Sequence, residues 1–86
     1  MQEATENHIS YNDFLDVAQG DIIYYLLSEK EGPTDPDRKW RARVDFIHHP
    51  SDYMRVTVLM EGYEEDQENV MWKQVVRYEK PEVKRL

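Results

Sequence analysis

Hydrophobic and polar positions alternate most cleanly over residues 39–47, where Trp40, Ala42, Val44 and Phe46 are interleaved with Arg41, Arg43 and Asp45. A period of two places one set on a buried face and the other in water, which is the pattern of a half-buried β-strand. The same period runs through residues 53–60, with Met54, Val56, Val58 and Met60 on one side and Arg55 and Thr57 on the other. Residues 22–27, Ile-Ile-Tyr-Tyr-Leu-Leu, are apolar throughout and bounded by turn signals, and their β-branched and aromatic content favours a strand over a helix. Residues 69–72 predict a short fourth strand, and Val75, Val76 and Tyr78 a last one ahead of Pro81.

Breakers separate these runs. Gly20-Asp21 precedes the first strand, and Gly32, Pro33 and Pro36 make residues 28–38 a long polar loop. Residues 48–52, His-His-Pro-Ser-Asp, form a turn; Glu61-Gly62 ends the third strand, and an acidic loop comes after it. Near the start, Ser10 fits as the cap of a short helical turn with Asp13 in its third position. Phe14, Leu15 and Val17 of that turn would cover one end of the core. The reading is all-β: a five-stranded small barrel at residues 11–79 with a short N-terminal helical turn, flanked by a flexible tail at 1–10 and another at 80–86. The simplest order is a consecutive meander closed by the last strand.

Composition narrows the possible functions. A chain of 86 residues is one domain at most. At that size about 60% of the unfolded surface is buried, which leaves few side chains to line a deep cavity. With no cysteine, disulfides, thiolate zinc sites and Cys nucleophiles are excluded, and an intracellular setting is expected. No apolar run approaches the roughly 20 residues that cross a bilayer, and the first ten residues lack the hydrophobic core of a signal peptide. Eleven basic against 18 acidic residues give a net charge of -7. Such a balance repels phosphate backbones and anionic lipid and favours a basic peptide as partner. Solubility alone would also select it.

Catalytic and metal signals are weak. There is no Gly-x-Ser-x-Gly and no phosphate-cradling glycine-rich loop, and nothing marks a carboxylate pair as buried together. His48 and His49 are adjacent and would point to opposite sides of a strand end, which suits a polar turn better than one metal ion. Residues 61–68 hold five carboxylates, but their spacing is not that of an EF-hand loop. No catalytic residue, metal or cofactor is expected, and the chain reads as a binding module.

Several short motifs resemble the Tudor family of SH3-like barrels, which read methylated lysine or arginine. They are Gly20-Asp21-Ile22-Ile23-Tyr24, Trp40-Arg41-Ala42-Arg43-Val44, Arg55-Val56-Thr57-Val58, Gly62-Tyr63 and Val70-Met71-Trp72-Lys73-Gln74-Val75. The resemblance implies an aromatic cage, in which ring faces attract a methylated cation that sheds its hydration easily. It assigns Trp40 and Tyr63 as cage walls, Leu26 or Leu27 as the first-strand wall, Met60 as the third-strand wall, and Glu65 or Asp66 as the polar closure. Two of these walls are aliphatic where the family carries rings, so Tyr24 or Tyr25 would have to turn toward the site, and Met60 would add polarizable contact. The implied partner is a basic tail, either of a histone or of an Arg-rich RNA-processing protein, and the implied location is the nucleus, as for a chromatin reader.

Two alternatives stand beside this one. A cage-less structural barrel would bind a protein through a strand edge or a hydrophobic face. A nucleic-acid-binding barrel would use Arg41, Arg43 and Arg55, which project from one side of neighbouring strands. Against the latter, cross-strand pairing with Asp45 and the loop carboxylates would account for the same arginines. Trp40 serves equally as the outer end of the core or as a ligand contact, and Trp72, in phase with Val70, is expected in the core.

Overall fold

The computed structural model describes residues 8–26, 39–64 and 66–81. Ser10 lies in extended backbone, and its Oγ accepts the Asp13 N–H at 3.0 Å, starting helix α1 (Tyr11–Asp16). The hydroxyl thereby satisfies one of the amides that a helix start leaves unpaired. A helix of six residues is not stable by itself and holds through tertiary packing. Phe14, 0% exposed, and Val17 enter the core. Leu15, expected beside them, is 52% exposed, because so short a helix has one inward stripe and the i, i+3 pair Phe14 and Val17 fills it. Ser10→Ala is expected to lower stability by about 1 kcal/mol, read as a lower urea midpoint at unchanged m-value.

The chain then forms β1 (Ile22–Tyr25), β2 (Trp40–His48), β3 (Tyr53–Val58), β4 (Gln67–Met71) and β5 (Val75–Glu79), with 3-10 turns at His49–Ser51 and Trp72–Gln74. All pairings are antiparallel, in the order β4-β3-β2-β1-β5. The protein is thus mostly β, one five-stranded sheet with one short helix. The first four strands run as the expected meander, and β5 returns to β1. The sheet does not close into a barrel: among the described residues no ladder joins β4 to β5. A 3-10 turn, not a hairpin turn, links those two strands, and β5 takes its backbone partners from β1.

The alternation read from the sequence holds in β3, where Met54, Val56 and Val58 are buried, and in β2 as far as Val44. There the register against β3 shifts, so that Val44 faces Val56 and Phe46 faces Arg55. The extra residue, Asp45, is a bulge that inverts the phase of the rest of β2. Phe46, expected in the core, is consequently 51% exposed, and Ile47 packs inward in its place. The core joins Ile23, Tyr25, Ala42, Val44, Met54, Val56, Val70 and Val75 to Phe14, Val17 and Ile9. Ile9 is tied down by its N–H, which donates to the Val75 carbonyl at 2.8 Å.

Asp21 does more than break the chain. It is 2% exposed, and its Oδ2 accepts the Ala18 N–H at 2.8 Å and the Lys80 ammonium at 2.7 Å. One carboxylate therefore closes the turn before β1 and holds the residue just after β5. Among the described residues no helix is long and apolar enough to cross a membrane.

Candidate aromatic site at the end of the sheet

Trp40 opens β2 opposite Tyr25 of β1. Beyond β3 the Leu59 N–H donates to the Arg41 carbonyl at 2.8 Å, which carries the chain on beside β2. The loop then turns back on itself. The Tyr63 N–H donates to the Met60 carbonyl at 2.9 Å, the Asp66 N–H to the Tyr63 carbonyl at 3.1 Å, and the Val58 N–H to the Asp66 carbonyl at 2.8 Å. Gly62 makes the reversal possible, since its φ of +91° lies where side chains are strained. Its N–H donates to Glu64 Oε1 at 3.0 Å.

This turn brings the Tyr63 ring against Trp40, with centroids 4.9 Å apart and planes at 61°. Tyr63 remains 44% exposed, while Trp40 is half-buried and also packs on the core. Trp40 thus meets its expected role at the outer end of the core, and its ring also meets that of Tyr63. Aromatic faces of this kind attract cations through the ring quadrupole. Glu61, Glu64 and Asp66 are exposed on the same loop and give the pair an acidic rim.

The other expected cage positions fall in different places. Met60 is half-buried, and its carbonyl anchors the turn that carries Tyr63. Tyr25 is 1% exposed, a core side chain rather than a wall of an open site. Tyr24 lies on the opposite, solvent face of β1, with the Arg77 guanidinium 4.1 Å from its ring centroid. Leu26 is held by backbone, its N–H donating to the Gln74 carbonyl at 3.0 Å and its own carbonyl accepting Gln74 Nε2 at 2.8 Å. Leu27 and Glu65 lie outside the described residues.

Arg41, Arg43 and Arg55 do share one solvent face, and Arg77 of β5 joins them. Among the described residues the carboxylate pairing expected across strands for Arg41, Arg43 and Arg55 is met at Arg43 alone, and there within its own strand. Asp45 takes the Arg43 Nε at 3.2 Å and the Thr57 hydroxyl, whereas Arg55 donates to the amides Asn69 Oδ1 at 3.1 Å and Gln67 Oε1 at 3.3 Å. The two adjacent histidines part: His49 lies against Phe14, centroids 5.3 Å apart, and His48 against Tyr53, 5.2 Å apart. Trp72 sits in the 3-10 turn after β4 and is half-buried, with the rings of His8, Tyr11 and Phe14 around it.

Compared with protein-family models, with curated proteins and with solved structures, the chain finds no match in any of the three. What defines it as a class is its architecture, a small antiparallel sheet with an angled aromatic pair at one end.

Proposed function

We propose that this chain is a non-catalytic, Tudor-like binding module that holds a cationic side chain of a basic peptide, methylated lysine or arginine included, against Trp40 and Tyr63. The observation that carries the reading is the ring pair itself: a tyrosine nearly half exposed, fixed at 4.9 Å from a tryptophan by a hydrogen-bonded turn bearing acidic residues. Methylation keeps the cation's charge while reducing its hydration, so the faces gain about 0.5–2 kcal/mol per ring. The acidic rim adds a salt-dependent gain in association rate. The meander with its returning fifth strand supports an SH3-like barrel of incomplete closure. On this reading the partner is a histone tail or an Arg-rich tail of an RNA-processing protein, and the module works in the nucleus.

The test is an NMR titration with basic peptides carrying unmodified or methylated Lys or Arg. Methyl-dependent shifts at Trp40, Tyr63 and Met60 are expected. Tyr63→Ala should weaken binding about tenfold, the equivalent of about 1.4 kcal/mol, while Tyr63→Phe, which keeps the ring, should bind nearly as the wild type. Unchanged affinity in both Tyr63→Ala and Trp40→Ala would overturn the site. The open sheet favours a second reading in that event, strand addition along the outer edge of β4 or β5. Its affinity would be indifferent to methylation.

A further inference from the structure

The solvent face of the sheet has a chemistry opposite to that of the acidic loop. Arg41 flanks Tyr24 on one side and Arg77 flanks it on the other, so a guanidinium, a ring and a second guanidinium form a row across β2, β1 and β5. Arg43 lies two residues along β2, and beyond the bulge Phe46 faces Arg55 of β3. Among the described residues, four guanidiniums thus meet two carboxylates on this face: Asp45, bound to Arg43, and Glu79, bound to Arg77 at 3.0 Å. The Arg77–Glu79 pair is well exposed and the Arg43–Asp45 pair partly so, and such pairs contribute little. The net charge of the face is positive in a chain whose total is -7.

Phe46 is the second observation. The bulge turns it out of the core, and a large apolar ring 51% exposed among arginines has no part in the core packing. Planar rings on a sheet, interleaved with guanidiniums, are what single-stranded nucleic acid requires: stacking platforms for bases and point charges for phosphates. An acidic peptide would use the charges but would leave the Phe46 ring without a base to stack on. A duplex hides its base faces and would gain nothing from Phe46.

The geometry points to a single-strand nucleic-acid-binding face made by Arg41, Arg43, Arg55 and Arg77 with Phe46 and Tyr24, separate from the Trp40–Tyr63 site. Bases stack on Phe46 while phosphates run along the arginines. The Arg77 guanidinium, 4.1 Å from the Tyr24 ring centroid, is held at the β5 side of the face.

The test is fluorescence anisotropy with fluorescein-labelled 12-mers of mixed sequence, as single-stranded RNA, single-stranded DNA and duplex DNA, with a Glu-rich peptide of equal charge as a fourth probe. Either single strand should bind at low salt, the tighter of the two naming the source. If all four arginines contact phosphate, log K should fall against log salt with a slope of about -2.8. Phe46→Ala should weaken binding about tenfold, equivalent to about 1.4 kcal/mol, and Arg55→Ala should weaken it and flatten the slope. Both side chains are exposed, and unchanged circular dichroism would certify the fold of each variant. Tyr63→Ala should leave oligonucleotide binding as it was, which separates this face from the peptide site. The inference is overturned if neither single strand binds, if Phe46→Ala binds as the wild type does, if the duplex binds as tightly as the single strands, or if only the Glu-rich peptide binds.

Discussion

Phe14→Ala is expected to lower the stability of this protein by about 4 kcal/mol, within the range for removing a buried aromatic ring. Domains carry roughly 0.05–0.15 kcal/mol per residue, so a chain of 86 residues has only about 4–13 kcal/mol in total. Roughly three tenths of that or more rests on one ring. The reason is its position: Phe14 is fully buried and lies 5.3 Å from His49, 5.7 Å from Tyr11 and 6.2 Å from Trp72, centroid to centroid. It joins α1 to the turn after β2 and to the turn after β4, which the Tyr53–Met71 pairing and the Trp72 N–H donating to the Asp52 carbonyl at 3.2 Å hold side by side. Truncation leaves a cavity that a sheet on one side and a single helix on the other have little freedom to close. Phe14→Leu should cost much less, about 1–1.5 kcal/mol, because most of the volume is kept. Urea titrations of the two variants give the comparison, and a loss below about 1 kcal/mol for Phe14→Ala would mean that the helix is not docked through this ring.

Asp21→Ala should rank next, at about 3 kcal/mol. A hydrogen bond to a charged group contributes about 1.5–3 kcal/mol, and the Asp21 carboxylate accepts two, from the Ala18 N–H and from Lys80. The Lys80 side chain is half exposed, so its share is discounted for screening, and the buried amide dominates. Asp21→Asn keeps an acceptor for that amide and should cost about half as much. The pair also has a signature in pH. The hydrogen bond that Lys80 donates to Asp21 is the main cause that raises the Lys80 pKa above 10.5; burial opposes it, and the charges of Asp21 and Asp16 add to it. Tyr78, whose hydroxyl donates to Asp16 at 2.8 Å, is pushed from 10.0 up to about 12, chiefly by that hydrogen bond. Both groups titrate higher when folded than when unfolded, so their contribution is complete below about pH 10 and is lost as pH rises toward 12. Stability measured from about pH 9 to pH 12 should hold at first and fall above about pH 10. The fall should be shallower in Asp21→Ala, which removes the Lys80 partner and leaves Tyr78. Parallel curves would sink the assignment.

How much of this was legible depends on whether the deciding interaction is local. The cap at Ser10, the breaks at Gly20 and Gly62, and the alternation in β2 up to Val44 and in β3 all rest on a few neighbouring residues, and the sequence by itself determined them. Strand phase put Arg41, Arg43 and Arg55 on one face, whereas Trp40 and Tyr63, which meet in the structure, were set together only by the resemblance to the Tudor family. Phase is also where legibility ended. The run at residues 22–27 is apolar on both sides, so nothing local says that Ile23 and Tyr25 go to the core and Tyr24 to the surface; the pairing of β1 with β2 and with β5 decides it. The bulge at Asp45 is set by register against β3, and it reverses Phe46 and Ile47, which period two alone assigned the other way. An aspartate after a glycine reads as a turn, and only a contact across 59 positions makes Asp21 a buried anchor. Closure of the sheet likewise belongs to the tertiary structure, since the 3-10 turn at Trp72–Gln74 and the hydrogen-bonding demand of β1 send the last strand to β1. Local sequence sets which faces a segment can offer; long-range register, won by burying one face and satisfying every backbone group, decides which face meets water.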